Sequence, residues 1–403
     1  MDYLNLLWVG IQSLMGIHLI TPLLLYGLHL IIGRRKHHHH HISGLDRHTE
    51  ADYAIIVTAY GQTDSLPATI DSILRLHYSR FLVYVVVDNC DTTQLHFDDE
   101  RVIVLKPDRI LASNTRSHFY AIERFKRPHN YLTIIDSDNL VHPDYLNELN
   151  KFFDRGFLAV QGVRNPKNLD TALACLDAAR DSYYHYYDAE LLFAVGSSAT
   201  LAGSGMAFAS ELYKQCLGKL NITGAGFDKV LQYEIVKRGH RIAFAPGAVV
   251  YDEKTTQATQ LVNQRARWIN TWFKYARFGY QLSLQGCREL NGNKLLFGLT
   301  LLRPPLFIFL LAALFFLAVD FIFFPSQALY WLIGLLLFIL AFFNALWHGN
   351  VDRRIYRSLW RIPRFVGLQI SSLLKARKAN KISVATRHSV LRKITDIDNI
   401  AEK

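Results

Sequence analysis

The 403-residue sequence is poor in cysteine and in charge. Its four cysteines, Cys90, Cys175, Cys216 and Cys287, are far apart and form no CxxC pair. That excludes a disulfide framework and a cysteine zinc site, and leaves reduced thiols of a cytosolic compartment. Charged residues make up 20% of the chain, against 50% hydrophobic. A soluble domain carries about 25% charge, so the balance excludes a disordered chain and leans toward a membrane. Acid is scarcest near the end. Between Val351 and Lys393 twelve Lys and Arg face a single acid, Asp352. The net charge of +11 therefore belongs to this tail, and the rest of the chain is neutral. A basic tail suits nucleic acid or an anionic membrane. Because it directly follows a hydrophobic block, lipid is the expected partner and nucleic acid is not.

Long apolar runs are present in three places. The first, Leu4–Gly33, has no charge inside it and is too long for a signal-peptide core. Asp2 precedes it and Arg34, Arg35 and Lys36 follow, so its end faces the cytoplasm by the positive-inside rule. The others, Leu306–Phe324 and Ala328–Trp347, are predicted to form a tight hairpin about a Pro325-Ser326-Gln327 turn. Everything between the first span and the hairpin is then cytoplasmic, on the inner membrane of the cell. Asp320 falls inside the second span, near its outer end, where it would reach the headgroups. His37–His41 reads as a solvated linker with no part in the chemistry. In the tail, Phe365–Leu374 is too short to span. With Trp360 and basic flanks it is predicted to lie in the interface, as is the stretch 290–305 before the hairpin.

Residues 51–289 alternate between strand and helix patterns. Tyr53–Ala59, Phe81–Asp88, Arg101–Leu105 and Tyr131–Asp136 read as buried strands, with helical spacing over Leu66–Leu76. This is the pattern of an open, mostly parallel α/β sheet with helices on both faces, which binds ligands at the carboxyl ends of its strands. Asp88 ends one strand; Asp136 and Asp138 end another. One such Asp can simply cap a turn. Two carboxylates one residue apart can instead hold a hard divalent ion that keeps open positions for phosphate oxygens. Farther on, Gln264, Arg267 and Trp268 stand at i, i+3 and i+4 of a helix and share a face. Arg suits a diphosphate through its fork of donors, and Trp suits the flat face of a sugar ring. The plainer reading of that face is contact with a membrane surface.

The ordered set Asp88, Asp136-Ser137-Asp138, Asp228 and Gln264-Arg265-Ala266-Arg267-Trp268, between an N-terminal span and C-terminal spans, resembles the membrane-bound family 2 glycosyltransferases. These have the GT-A fold and include the synthases of cellulose, chitin, hyaluronan and poly-N-acetylglucosamine. The resemblance implies that Thr58, Tyr60 and Asp88 cradle the nucleoside of a UDP-sugar. It implies that Asp136 and Asp138 hold Mg²⁺ or Mn²⁺ on the diphosphate, and that Gln264 and Arg267 touch it too. Gly203 and Ser204, in Leu201–Gly205, would shape the acceptor side together with Trp268. Asp228 would be the catalytic base of an inverting transfer. The family's Thr-Glu-Asp is here Gly226-Phe227-Asp228, which keeps the carboxylate. Asp88-Asn89-Cys90-Asp91 also departs from the family pattern; the strand-end position favours Asp88 over Asp91. Apart from the resemblance, Asp228 could serve as the N-cap of the helix that follows.

The expected organisation is a span at 1–33, a linker at 34–50, a catalytic domain at 51–289, an interfacial helix at 290–305, a spanning hairpin at 306–347 and a basic tail at 348–403. The acceptor is either a growing polysaccharide or a lipid-linked or oligosaccharide acceptor glycosylated once. Three spans are few for a channel, so extrusion would need an oligomer or a translocation partner. An inactive scaffold of the same fold is the remaining reading, and the intact carboxylates argue against it.

Overall fold

A computed structural model of the chain describes residues 2–36, 50–93, 95–222, 224–377, 379 and 390–401. The His37–His41 run lies outside them. Eight strands form one sheet: β1 (Tyr53–Tyr60), β2 (Phe81–Asp88), β3 (Val102–Leu105), β4 (Tyr131–Asp136), β5 (Leu140–Val141), β6 (Ala159–Pro166), β7 (Met206–Ala209) and β8 (Ile242–Asp252), in the order β3-β2-β1-β4-β7-β6-β8-β5. The first four strands are parallel to one another, as are β6 and β8. β7 runs antiparallel to both its neighbours, and β5 antiparallel to β8. The sheet is therefore more mixed than the strand pattern predicts.

The helices are α1 (Asp2–Lys36), α2 (Leu66–Leu74), α3 (Asn114–Ile122), α4 (Tyr145–Phe153), α5 (Ala172–Tyr184), α6 (Leu192–Ala194), α7 (Ser210–Leu217), α8 (Phe227–Lys237), α9 (Ala258–Arg288), α10 (Gly292–Leu302), α11 (Leu306–Phe323), α12 (Pro325–His348), α13 (Arg353–Ser358), α14 (Ile362–Ala376) and α15 (Ile394–Ala401). A π-helical turn, His185–Leu191, joins α5 to α6. The central strands are buried on both faces, which is why they read as continuous apolar runs rather than alternations. Ile56, Tyr84, Val86 and Ile134 pack toward α3, α7 and α8. Ile55, Val57, Val83 and Ile135 pack toward α2 and α4.

Three of the described helices are long and apolar enough to cross a membrane: Leu6–Ile32 within α1, all of α11 and all of α12. At about 1.5 Å per residue, α1 is roughly 50 Å long, well over a hydrocarbon core of about 30 Å. The hairpin turns at Phe324, not over three residues. Pro325 is already the first residue of α12, where its fixed φ suits a helix start and its missing N–H costs nothing.

Asp320 does not reach toward headgroups. It is fully buried between the spans and accepts hydrogen bonds from Trp8 Nε1 at 3.3 Å and Gln12 Nε2 at 3.2 Å. Gln12 in turn accepts from Trp331 Nε1 at 2.6 Å. Phe316 stacks on Trp331 with 5.2 Å between ring centroids, so polar and aromatic contacts together fill the space among the three helices.

Two further helices, α10 and α14, pack on α9. α10 packs on α9 so closely that a Cβ at Gly286 would collide with the Leu295 backbone. α14 turns Phe365, Gln369, Ser372 and Ala376 inward and leaves Leu374 81% exposed. Phe365 meets Leu261 of α9.

Candidate active site

Strand register gathers the first group of side chains. Tyr60 pairs with Asp88 across β1 and β2, and Thr58 pairs with Asp136 across β1 and β4. All four stand at the carboxyl edge of the sheet. Asp88 is buried, and its two oxygens accept from Leu111 N at 3.0 Å and Ala112 N at 2.7 Å. It thus fixes the loop before α3, in which Ala112 holds a left-handed φ of 47°. Asp91 is exposed and accepts from its own neighbour Thr93. The structure so assigns the buried strand-end position to Asp88.

The DxD turn is pinned from three sides. Asp136 N and Asn139 Nδ2 both donate to Ser204 Oγ, at 3.0 and 2.7 Å. Ser204 is fully buried and turned toward this turn. Gln161 holds the same loop from below, donating to Ser204 O at 3.1 Å and accepting from Ala202 N at 2.8 Å. Lys167 Nζ donates to the Asp138 main-chain carbonyl at 2.8 Å. Among the described residues no group of three or more His, Cys, Asp or Glu could close a metal cage. Asp136 and Asp138 alone fit a hard divalent ion held by one or two carboxylates, with the rest of its shell left to phosphate and water.

Asp228 lies in the first turn of α8, but it is not the N-cap. Gly226 is, with φ 99°, and no side chain caps this end. A Cβ at Gly226 would stand 2.5 Å from Thr271 Cγ2 and 2.8 Å from the Tyr275 ring, both on α9. Only glycine allows both this φ and this approach. The start of α8 is thereby pressed onto α9 one turn beyond Trp268. One turn into α8, Gln232 accepts from Leu201 N at 3.0 Å. The loop Leu201–Gly205 therefore bridges the helix of Asp228 and the DxD turn. On α9, Gln264 accepts from Thr255 Oγ1 at 3.4 Å. Burial lowers the Arg267 guanidinium below its ordinary value. Trp268 keeps 38% of its surface exposed.

Sequence reasoning missed what joins these two halves. The Asp136 carboxylate acts on Arg164 of β6. Arg164 pairs with Asp252 at the end of β8, and Asp252 with Lys254 at 2.7 Å. Lys254 pairs with Asp181 of α5 at 2.5 Å, and Asp181 with Arg180. Arg180 lies 3.5 Å from Asp177, which pairs with Arg265 of α9. The ladder alternates in sign from Asp136 to Arg265. Burial alone would lower Arg164, but Asp252, Asp181 and Asp136 outweigh it and raise it above its ordinary value. Burial, then the Arg180 charge, pushes Arg265 down to about 10 against the pull of Asp177. Beside the ladder, burial pushes His185 down to about 4, leaving the ring neutral. Arg265 and Arg180 also stack over the Trp268 ring, at 3.8 and 4.7 Å from its centroid. A signal existed in Asp177 and Arg180-Asp181, which are charges set inside an otherwise apolar helix, and in Asp252-Glu253-Lys254 after a β-branched run.

A mixed α/β sheet with acids at its carboxyl edge, closed by a helix carrying Arg and Trp and attached to apolar helices, defines a membrane-associated α/β transferase domain. The model of the family described as glycosyltransferase like family 2 matches residues 51–271, over half of the chain. The chain belongs to this family and is a glycosyltransferase. No curated protein matches it. Among solved structures it is similar to the mannosyltransferase PcManGT from Pyrobaculum calidifontis, in complex with GDP-Man and Mn²⁺. That likeness has 17% identity and a TM-score of 0.54, and covers 91% of this chain and 99% of the other. It shows the fold. Glucosyl-3-phosphoglycerate synthase from Mycobacterium tuberculosis also aligns, at 16% identity and a TM-score of 0.38, over 56% of this chain and 78% of the other.

Proposed function

We propose that the chain moves a sugar from a nucleotide-sugar, read from its motifs as a UDP-sugar, to an acceptor hydroxyl with inversion. The ties among three elements support this reading: the loop Leu201–Gly205 joins the DxD turn to α8, and the first turn of α8 presses on α9, which carries Arg267 and Trp268. Thr58, Tyr60 and Asp88 line the nucleoside side, and Gln264 and Arg267 reach the diphosphate. Asp136 and Asp138 hold Mg²⁺ or Mn²⁺, which when bound offsets charge growing on the leaving diphosphate. Gly203, Ser204 and Trp268 shape the acceptor side, with the Ser204 hydroxyl tying that loop to the DxD turn. Asp228 takes the proton of the acceptor hydroxyl as it attacks the anomeric carbon, and the nucleoside diphosphate leaves with the bonding pair. The domain faces the cytoplasm, where its donor is made, and the basic tail rests on anionic lipid.

The acceptor is either a growing polysaccharide or a lipid-linked or oligosaccharide acceptor taken once. The filled interior of the three-helix bundle favours the second, unless copies of the chain or a translocation partner supply a path. Nucleoside diphosphate release, followed for UDP-Glc, UDP-GlcNAc, UDP-GlcA, UDP-Gal and GDP-Man, tests the donor class. No release from any of them, with EDTA-sensitive binding of none, overturns the reading. Product length on a gel separates polymer from single transfer.

A further inference from the structure

The last described stretch, 390–401, lies beside the strand end that carries the DxD acids. Val390 N donates to Glu253 Oε2 at 3.3 Å, and Arg392 Nη1 donates to the Lys167 carbonyl at 2.8 Å. Lys393 N donates to Asp396 Oδ2 at 2.9 Å, which caps α15. Ile394 and Ile397 are buried against Leu140 and Tyr251, with Ala68 beside them. Leu140 is two residues beyond Asp138, and Tyr251 pairs with it across β5 and β8.

Lys167 is the link. It is 3% exposed, so its ammonium must find acceptors within the protein. It donates to the Asp138 main-chain carbonyl at 2.8 Å and lies 3.9 Å from Glu253 Oε2. A bond to that carbonyl fixes the peptide plane after Asp138, and so the direction in which its carboxylate leaves the backbone. The Lys167 carbonyl is in turn held by Arg392. With Arg392 gone, the 167–168 peptide loses its outer anchor, and the ammonium is drawn to the nearby Glu253 carboxylate.

We propose that Arg392 is a positioning residue for Asp138, acting through Lys167, and that the C-terminal segment completes the metal-binding corner. The inference rests on the reading that Asp136 and Asp138 hold the divalent ion. Mn²⁺ binding measured by electron paramagnetic resonance, with UDP present and no acceptor, tests it on the full chain in nanodiscs. Arg392→Ala is expected to weaken Mn²⁺ about tenfold, the low end of what loss of a ligand's outer partner costs, because Arg392 acts on Asp138 only through Lys167. Arg392→Lys is expected to recover most of the affinity, and both variants to unfold at the wild-type temperature. In turnover, Arg392→Ala raises the Mn²⁺ concentration needed for half-maximal rate but reaches the wild-type rate at saturation. Wild-type Mn²⁺ affinity in Arg392→Ala overturns the proposal while leaving the metal reading intact. Equal losses in the Ala and Lys variants, with lowered unfolding temperatures, also overturn it and make the segment mere packing. Absence of Mn²⁺ binding by the wild type overturns the metal reading itself.

Discussion

Asp228 is 18% exposed, too open for a core carboxylate and too buried for an idle one, and it leaves the capping of α8 to Gly226. Removing its charge without its shape separates chemistry from folding. Asp228→Asn is expected to keep the unfolding temperature and UDP binding and to lose roughly 10²–10⁴ in transfer rate, the worth of a positioned base; near-normal turnover would remove it from the mechanism. A second residue reports on stability. His118 is fully buried against Tyr213, with its Nδ1 2.7 Å from the phenol oxygen, and burial pushes it down to about 3. Its ordinary value is near 6.5. Below that pH the unfolded chain binds a proton that the folded chain refuses, so stability falls as pH drops from 6.5 toward 3, by up to about 1.4 kcal/mol per unit. His118→Gln should flatten the decline of the unfolding midpoint between pH 7 and 5. At this scale the carboxylates were legible, because an acid ending an apolar strand stands out. Arg164, Asp177 and Arg265 were not, since their partners lie 88 residues away in each pair and only the fold reveals them.

At the scale of elements, the strands β2 and β4 have the ends that their β-branched runs announce. The reversal at β7 was illegible, because four residues of alternating size carry no direction. α9 and α10 show what a helix pattern hides. The stretch of α10 was expected in the membrane interface; in the structure it packs on α9, and the closeness of that contact depends on glycine. Gly286→Val should force the helices apart and cost about 1–3 kcal/mol through overpacking. An unchanged unfolding midpoint would mean that the pair is looser than described. α14 sets one face on the protein and leaves Leu374 outward, as the turn before it leaves Trp360.

At the scale of the whole molecule, a basic, partly apolar tail follows three apolar helices in the chain. Replacing Arg361, Arg364, Lys375 and Arg377 by Gln should weaken its hold on anionic lipid by about 1 kcal/mol per charge. Quenching of Trp360 by brominated lipid, taken as the difference from Trp360→Phe, should then fall in anionic nanodiscs and stay unchanged in neutral ones. Equal quenching in both lipids before and after the change would separate the tail from the membrane surface. The ladder from Asp136 to Arg265 has a consequence of another kind. It holds four charges of each sign, so they sum to zero and no rung can be lost alone. Asp177→Leu or Arg265→Met by itself strands a buried charge, at about 3–5 kcal/mol. The two together should restore most of the stability. A melting series showing the pair worse than either single change would contradict this. Descendants of this sequence can therefore wander at these positions only in step, two codons at a time.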